Sequence, residues 1–129
     1  MSVLLELATA QLNAGDAHAN RRACWLARSA MEERLDALLT ARGVDVGPLA
    51  STRSKLSCLE AAYADEPGLT NRAQYLWSRL SEACHQHAYR LSPTYGEVSH
   101  LLALLRSIGE PIRLEPKLPQ ADRIRRSAV

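Results

Sequence analysis

Residues 70–91 read TNRAQYLWSRLSEACHQHAYRL, with Ser92-Pro93 behind them. At about 100° per residue, Ala73, Leu76, Leu80, Cys84, His87 and Leu91 fall on one narrow face, flanked by Trp77 and Ala83. Tyr75, Ser78, Glu82, His85 and Tyr89 project mostly away from it. Arg72, Arg79, Gln86 and Arg90 form a lateral strip. Period-two alternation is absent, so the stretch reads as an amphipathic helix from about Thr70 to Leu91. Ser92-Pro93 ends it, because the residue before a proline is pushed out of helical backbone. The apolar face is expected to pack against another long helix.

The same reading extends in both directions. A first helix runs from about Ser2 to Asn13 and stops at Gly15. A second runs from about Asp16, as N-cap, to Arg42, with Gly43 just past its end. Its inward stripe is Cys24, Ala27, Met31, Leu35 and Leu38. Val44 to Ala50 connects it to a third helix, which starts near Ser51 or Thr52, runs to about Ala64 and carries Leu56 and Leu59. Asp65-Glu66-Pro67-Gly68 breaks the chain before the fourth. In the fifth helix Thr94 and Glu97 have the spacing of a capping box. Its stripe is Val98, Leu101, Leu102, Leu105 and Ile108, and Gly109 closes it. Val, Ile and Thr are scarce, Phe is absent, and Leu, Ala, Arg and Glu dominate. With connections of two to eight residues, the expected fold is all-α, an up-and-down bundle of four to five helices over residues 1–109. Pro111, Pro116 and Pro119 forbid a continuing helix. Residues 110–129 are therefore expected to form a Pro-rich basic C-terminal tail, an extended arm.

The chain has 129 residues, 47% of them hydrophobic and 23% charged, a globular balance for one small domain. No apolar run approaches the length of a membrane span. Residues 1–12 lack a basic start, and Glu6 interrupts their apolar stretch, which is not the pattern of a secretory leader. Cys24, Cys58 and Cys84 are odd in number and far apart. They read as buried thiols of a reducing cytoplasm. The net charge is +2. Residues 1–109 hold 11 basic and 11 acidic side chains, so the excess positive charge lies in the tail. A neutral body argues against broad duplex binding, which needs many phosphate contacts, and leaves room for a local phosphate site.

His85, His87 and Tyr89 lie within five residues of one another. Imidazole exchanges protons near neutral pH, and arginine grips phosphate through paired N–H groups. Together they suit RNA cleavage by internal transesterification. A base takes the 2′-OH proton, a cation stabilises the pentacovalent phosphorus, and an acid protonates the leaving oxygen. Arg79, His85, His87 and Tyr89 are the candidate catalytic residues. Arg72, Gln86 and Arg90 are candidate RNA contacts. The chemistry requires no metal and no cofactor.

Arg79-Leu-Ser-Glu-Ala-Cys-His85, an Arg and a His with five residues between them, resembles the motif of the HEPN superfamily. The stretch from Leu76-Trp77-Ser78 through Cys84-His85-Gln86-His87-Ala88-Tyr89 to Pro93-Thr94 is similar to small actinobacterial HEPN-like proteins. The architectural likeness spans roughly residues 16–109 and the motif likeness residues 69–98. The resemblance implies a homodimer whose motif helices meet to form one RNA-cleaving cleft, with Arg79 on the phosphate and His85 moving the proton. It also implies a toxin or defence component, whose partners are single-stranded RNA and a nucleotidyltransferase-type antitoxin. That antitoxin would modify the Tyr of a His-x-Tyr, a spacing present at His87-Ala88-Tyr89. The Arg-to-His spacing selects His85, whereas His-x-Tyr selects His87. Residues six apart on an ideal helix point about 120° apart and are ~9 Å apart in rise. Either a second copy completes the site, or the helix is distorted there, or the site is degenerate.

Each residue also has a plainer role. Arg79 can pair with Glu82 three residues on, and His85 can be a surface side chain. His87 lies on the apolar stripe, where a hydrogen-bonded core His is the commoner case. Tyr89 can cap a packing contact. Cys84 and His87 supply at most two metal ligands, with no second pair nearby. Arg21 and Arg22 oppose the dipole at the start of the second helix, which either phosphate contacts or Asp16 would offset. The function this resemblance implies is a metal-independent endoribonuclease or a degenerate HEPN-like descendant that keeps RNA binding; the alternative function is a non-catalytic helical adaptor or protein-interaction module.

Overall fold

The computed structural model describes residues 3–16, 18–85 and 93–109. Among them are five helices and no strand: α1 (Val3–Leu12), α2 (Ala19–Ala41), α3 (Thr52–Ala62), α4 (Pro67–Cys84) and α5 (Tyr95–Gly109). The protein is an all-α helical bundle. The tail, residues 110–129, lies outside the described residues.

α2 is the central element and touches each of the other four helices. Every residue of its expected stripe is buried, as is every residue of the α5 stripe. Leu5, Ala8 and Leu12 from α1 and Leu56 and Leu59 from α3 complete the core around it. Each fully buried Leu or Met contributes about 1.5–3 kcal/mol, so these spacings are what hold the helices together.

The ends follow local chemistry. Ser51 Oγ accepts from the Ser54 N–H at 3.1 Å and caps α3. Thr94 and Glu97 form the reciprocal pair that starts α5: Thr94 N–H to Glu97 Oε1 at 2.8 Å, and Glu97 N–H to Thr94 Oγ1 at 3.1 Å. α2 ends in a Schellman turn. Gly43 has φ +73°, its N–H reaches Thr40 O at 2.9 Å, and the Val44 N–H reaches Leu39 O at 2.9 Å.

Three boundaries and one connection differ from expectation, besides the end of α4. Asp16 does not cap α2. Its Oδ1 accepts from the His18 N–H at 2.9 Å and its Oδ2 holds Arg22 at 2.6 Å. The chain therefore makes one extra turn, and the helix starts at Ala19. That pair also offsets the charge of Arg22 near the helix start. α4 begins at Pro67, inside the expected break, because a proline at the first helical position gives up no needed donor. α3 stops at Ala62, two residues early. Tyr63 then turns its hydroxyl inward to donate to Leu38 O at 2.7 Å. The α2–α3 connection, residues 42–51, exceeds eight residues and folds on itself through Gly47 N–H to Asp45 Oδ1 at 3.0 Å. Cys58 is half-buried, whereas Cys24 and Cys84 are buried as expected.

Arg42 fixes the start of α4. Its guanidinium donates to Ala62 O at 2.8 Å, pairs with Asp65 and Glu66 at 3.1 Å each, and lies 3.9 Å from the centre of the Tyr63 ring. One side chain at the end of α2 thus holds the whole α3–α4 turn.

Candidate nucleic-acid interface at the end of α4

α4 keeps the phase expected of it. Ala73, Leu76, Leu80 and Cys84 are buried, and Trp77 and Ala83 are half-buried. Arg72, Tyr75, Ser78, Arg79, Glu82 and His85 are exposed. Arg79 Nη1 meets Glu82 Oε1 at 3.4 Å, with both side chains 47% exposed. The expected pair is therefore present and long.

The described helix ends short of the expected Leu91, and residues 86–92 lie outside the described residues. Its last residue is Cys84, and His85 has φ −77° and ψ 130°, an extended backbone. The His85 N–H still donates to Ser81 O at 3.2 Å and Glu82 O at 3.3 Å. At the start of α5, Asn20 Nδ2 donates to Pro93 O at 2.9 Å and the Tyr95 hydroxyl to Asn13 Oδ1 at 3.0 Å. His85, with its extended backbone, lies outside the regular helix, so the ideal-helix angle of about 120° from Arg79 no longer sets its direction. Gln86, His87, Tyr89 and Arg90 lie outside the described residues. Arg72 shares a strip with Arg79, two turns nearer the start of α4.

Beneath this end of α4 lies a set of side chains that sequence reasoning did not assemble. The Arg28 guanidinium of α2 sits 4.8 Å over the Trp77 ring and also acts on the Cys84 thiol. It therefore lies near both Trp77 and Cys84. Burial pushes the Cys84 thiol up, and the nearby Arg28 and Arg21 partly counter this. Burial, reinforced by Cys84, pushes Cys24 up to about 12, so this thiol stays protonated. Arg28 Nε and Ser81 Oγ are buried without a hydrogen-bond partner among the described residues. A signal for this set was available. Arg21, Arg28 and Leu35 recur every seven residues, which places both arginines on the flank of the buried stripe.

Among the described residues, no group of three or more His, Cys, Asp or Glu side chains is arranged to hold a metal ion. Nor is any described helix long and apolar enough to cross a membrane. No protein-family model, curated protein or solved structure matches the chain.

Proposed function

We propose that this chain is a HEPN-like protein of the cytoplasm that binds single-stranded RNA at the end of α4 and cleaves it without a metal, as a homodimer. Arg79 neutralises the scissile phosphate and His85 takes the 2′-OH proton. His85 of the second copy, in its protonated form, gives a proton to the leaving 5′ oxygen while the 2′ oxygen bonds to phosphorus, which leaves a cyclic phosphate end and a free 5′-OH.

The observation that carries this reading is the exposure of a guanidinium and an imidazole at one end of one helix. Arg79 is restrained by a single long contact to Glu82. An exposed pair of that kind is worth about 0.2–0.5 kcal/mol. Charge-assisted bonds to a phosphate are worth roughly 1.5–3 kcal/mol, so RNA outcompetes the carboxylate. The exposed row Tyr75, Ser78, Glu82 and His85 suits a second α4 laid against the first, supporting the homodimer. The test is cleavage of single-stranded RNA in EDTA by the wild type, Arg79→Ala and His85→Ala. Wild-type activity that falls about a hundredfold or more in each variant supports the reading.

Control by a nucleotidyltransferase-type antitoxin belongs to this proposal through Tyr89. Mass spectrometry of Tyr89 for an added nucleotide, after co-expression with such an enzyme, tests it. A second reading, the non-catalytic adaptor, is favoured by the Arg79–Glu82 pair itself and by Trp25, a tryptophan 52% exposed on α2. An RNA-inert wild type that binds a protein partner through Trp25 would establish it.

A further inference from the structure

We propose that the cleft between α3 and α4 walled by Trp77 binds one nucleotide unit, with its base against the indole and its phosphate on Arg53. The cleft measures about 300 Å³ and is lined by Arg53, Leu56, Ser57, Gln74 and Trp77. That is the lower end of small-molecule sites, fitting one base and its sugar. Trp77 is half-buried, and Arg28, which does not line the cleft, pins the ring from α2 at 4.8 Å. An indole held in place is a stacking platform with little ordering entropy left to lose.

The polar lining is uncommitted. Arg53, Ser57 and Gln74 are exposed, and none of their side chains makes a hydrogen bond or ion pair with another described residue. By contrast Arg22, Arg42, Arg79 and Arg106 each hold a partner. A cation, a hydroxyl and a carboxamide around an aromatic face provide what a nucleotide needs: anion recognition, and both a donor and an acceptor for a base edge. The cleft beside Asp36, Asp45 and Lys55 lacks this character, because Lys55 is already held by Asp36 at 2.8 Å. Neither Arg79 nor His85 lines the Trp77 cleft, so the site does not depend on the cleavage reading.

The chain has two tryptophans, so Trp25→Phe leaves Trp77 as the sole reporter in the full-length protein. Trp25 is largely exposed, and circular dichroism checks that the variant keeps its helices. The probes are AMP, adenosine and inorganic phosphate, with excitation at the red edge of the indole band, where adenine does not absorb. AMP is expected to quench Trp77 saturably at millimolar concentration or below, and adenosine and phosphate to bind several-fold more weakly. Arg53→Ala should weaken AMP about tenfold, the loss expected for one charge-assisted contact. AMP binding is expected to survive Arg79→Ala, so this proposal and the cleavage reading fail separately. Absence of saturable quenching overturns the inference. So does quenching indifferent to both Arg53→Ala and Gln74→Ala, or equal binding of AMP and adenosine.

Discussion

Two neighbouring residues on α4 should respond to the same substitution by very different amounts. Leu80 is fully buried, whereas Arg79 is 47% exposed. Leu80→Ala removes three buried carbons, worth about 0.8 kcal/mol each. With the cavity left behind, the loss is roughly 3–4 kcal/mol. A chain of this length is stable by roughly 6–19 kcal/mol, so the loss is a large fraction of the total. Urea unfolding followed by far-UV circular dichroism, with a slope of about 2 kcal/mol per molar, should show the midpoint falling by roughly 1.5–2 M. Arg79→Ala gives up only an exposed pair and should stay within about 0.5 kcal/mol of wild type. A Leu80→Ala loss below about 1 kcal/mol, or an Arg79→Ala loss above about 1.5 kcal/mol, would show that the phase of α4 is wrong. Arg79 would then be a structural side chain, unavailable to a ligand.

Three other outcomes follow from the packing. Tyr63→Phe keeps the ring under Arg42 but deletes the hydroxyl's bond to Leu38 O, and should cost about 1 kcal/mol in the same urea assay. A thiol reagent at about pH 8 should modify the half-buried Cys58 quickly. Cys24 and Cys84 should react only in denaturant, since Cys24 is pushed up to about 12 and Cys84 is raised in the same direction. Hydrogen bonding from Arg42 holds Asp65, and hydrogen bonding from Arg22 holds Asp16, below the ordinary value of 3.8. The unfolded chain therefore takes up these protons first. The stabilisation is present above the ordinary value and disappears as pH falls through the depressed folded values. Asp65→Asn should flatten the acid limb of an unfolding titration.

The helices were legible wherever burial and capping agreed. Val98 to Ile108 and Cys24 to Leu38 show their periodicity without ambiguity, and Thr94, Glu97, Ser51 and Gly43 each mark an end by a specific hydrogen bond or backbone angle. The boundaries that differ have separate causes: Tyr63, where α3 stops, bonds Leu38 O from a distant part of the chain, while Asp16 and Pro67 act locally. Nothing in the local pattern marks Cys84 as an end: the apolar spacing continues to His87 and Leu91, which lie outside the described residues. Asp16 was a suitable cap by residue type, but it closed a turn two residues earlier and bound Arg22 instead. At the candidate site, the exposure of Arg79 followed from helical phase, whereas His85 is exposed on extended backbone just past the end of α4. The Arg28–Trp77 stack and the Arg53 cleft did not follow from phase, because each joins residues from different helices that only the packed bundle brings together.

The central claim is that the exposed Arg79 and His85 serve RNA chemistry. It is tested most directly by incubating the purified full-length chain with single-stranded RNA in EDTA and analysing the products for cyclic phosphate ends. Cleavage by the wild type is expected, and its loss in both Arg79→Ala and His85→Ala, with each variant still folded. An inert wild type, or equal cleavage by all three proteins, would contradict it.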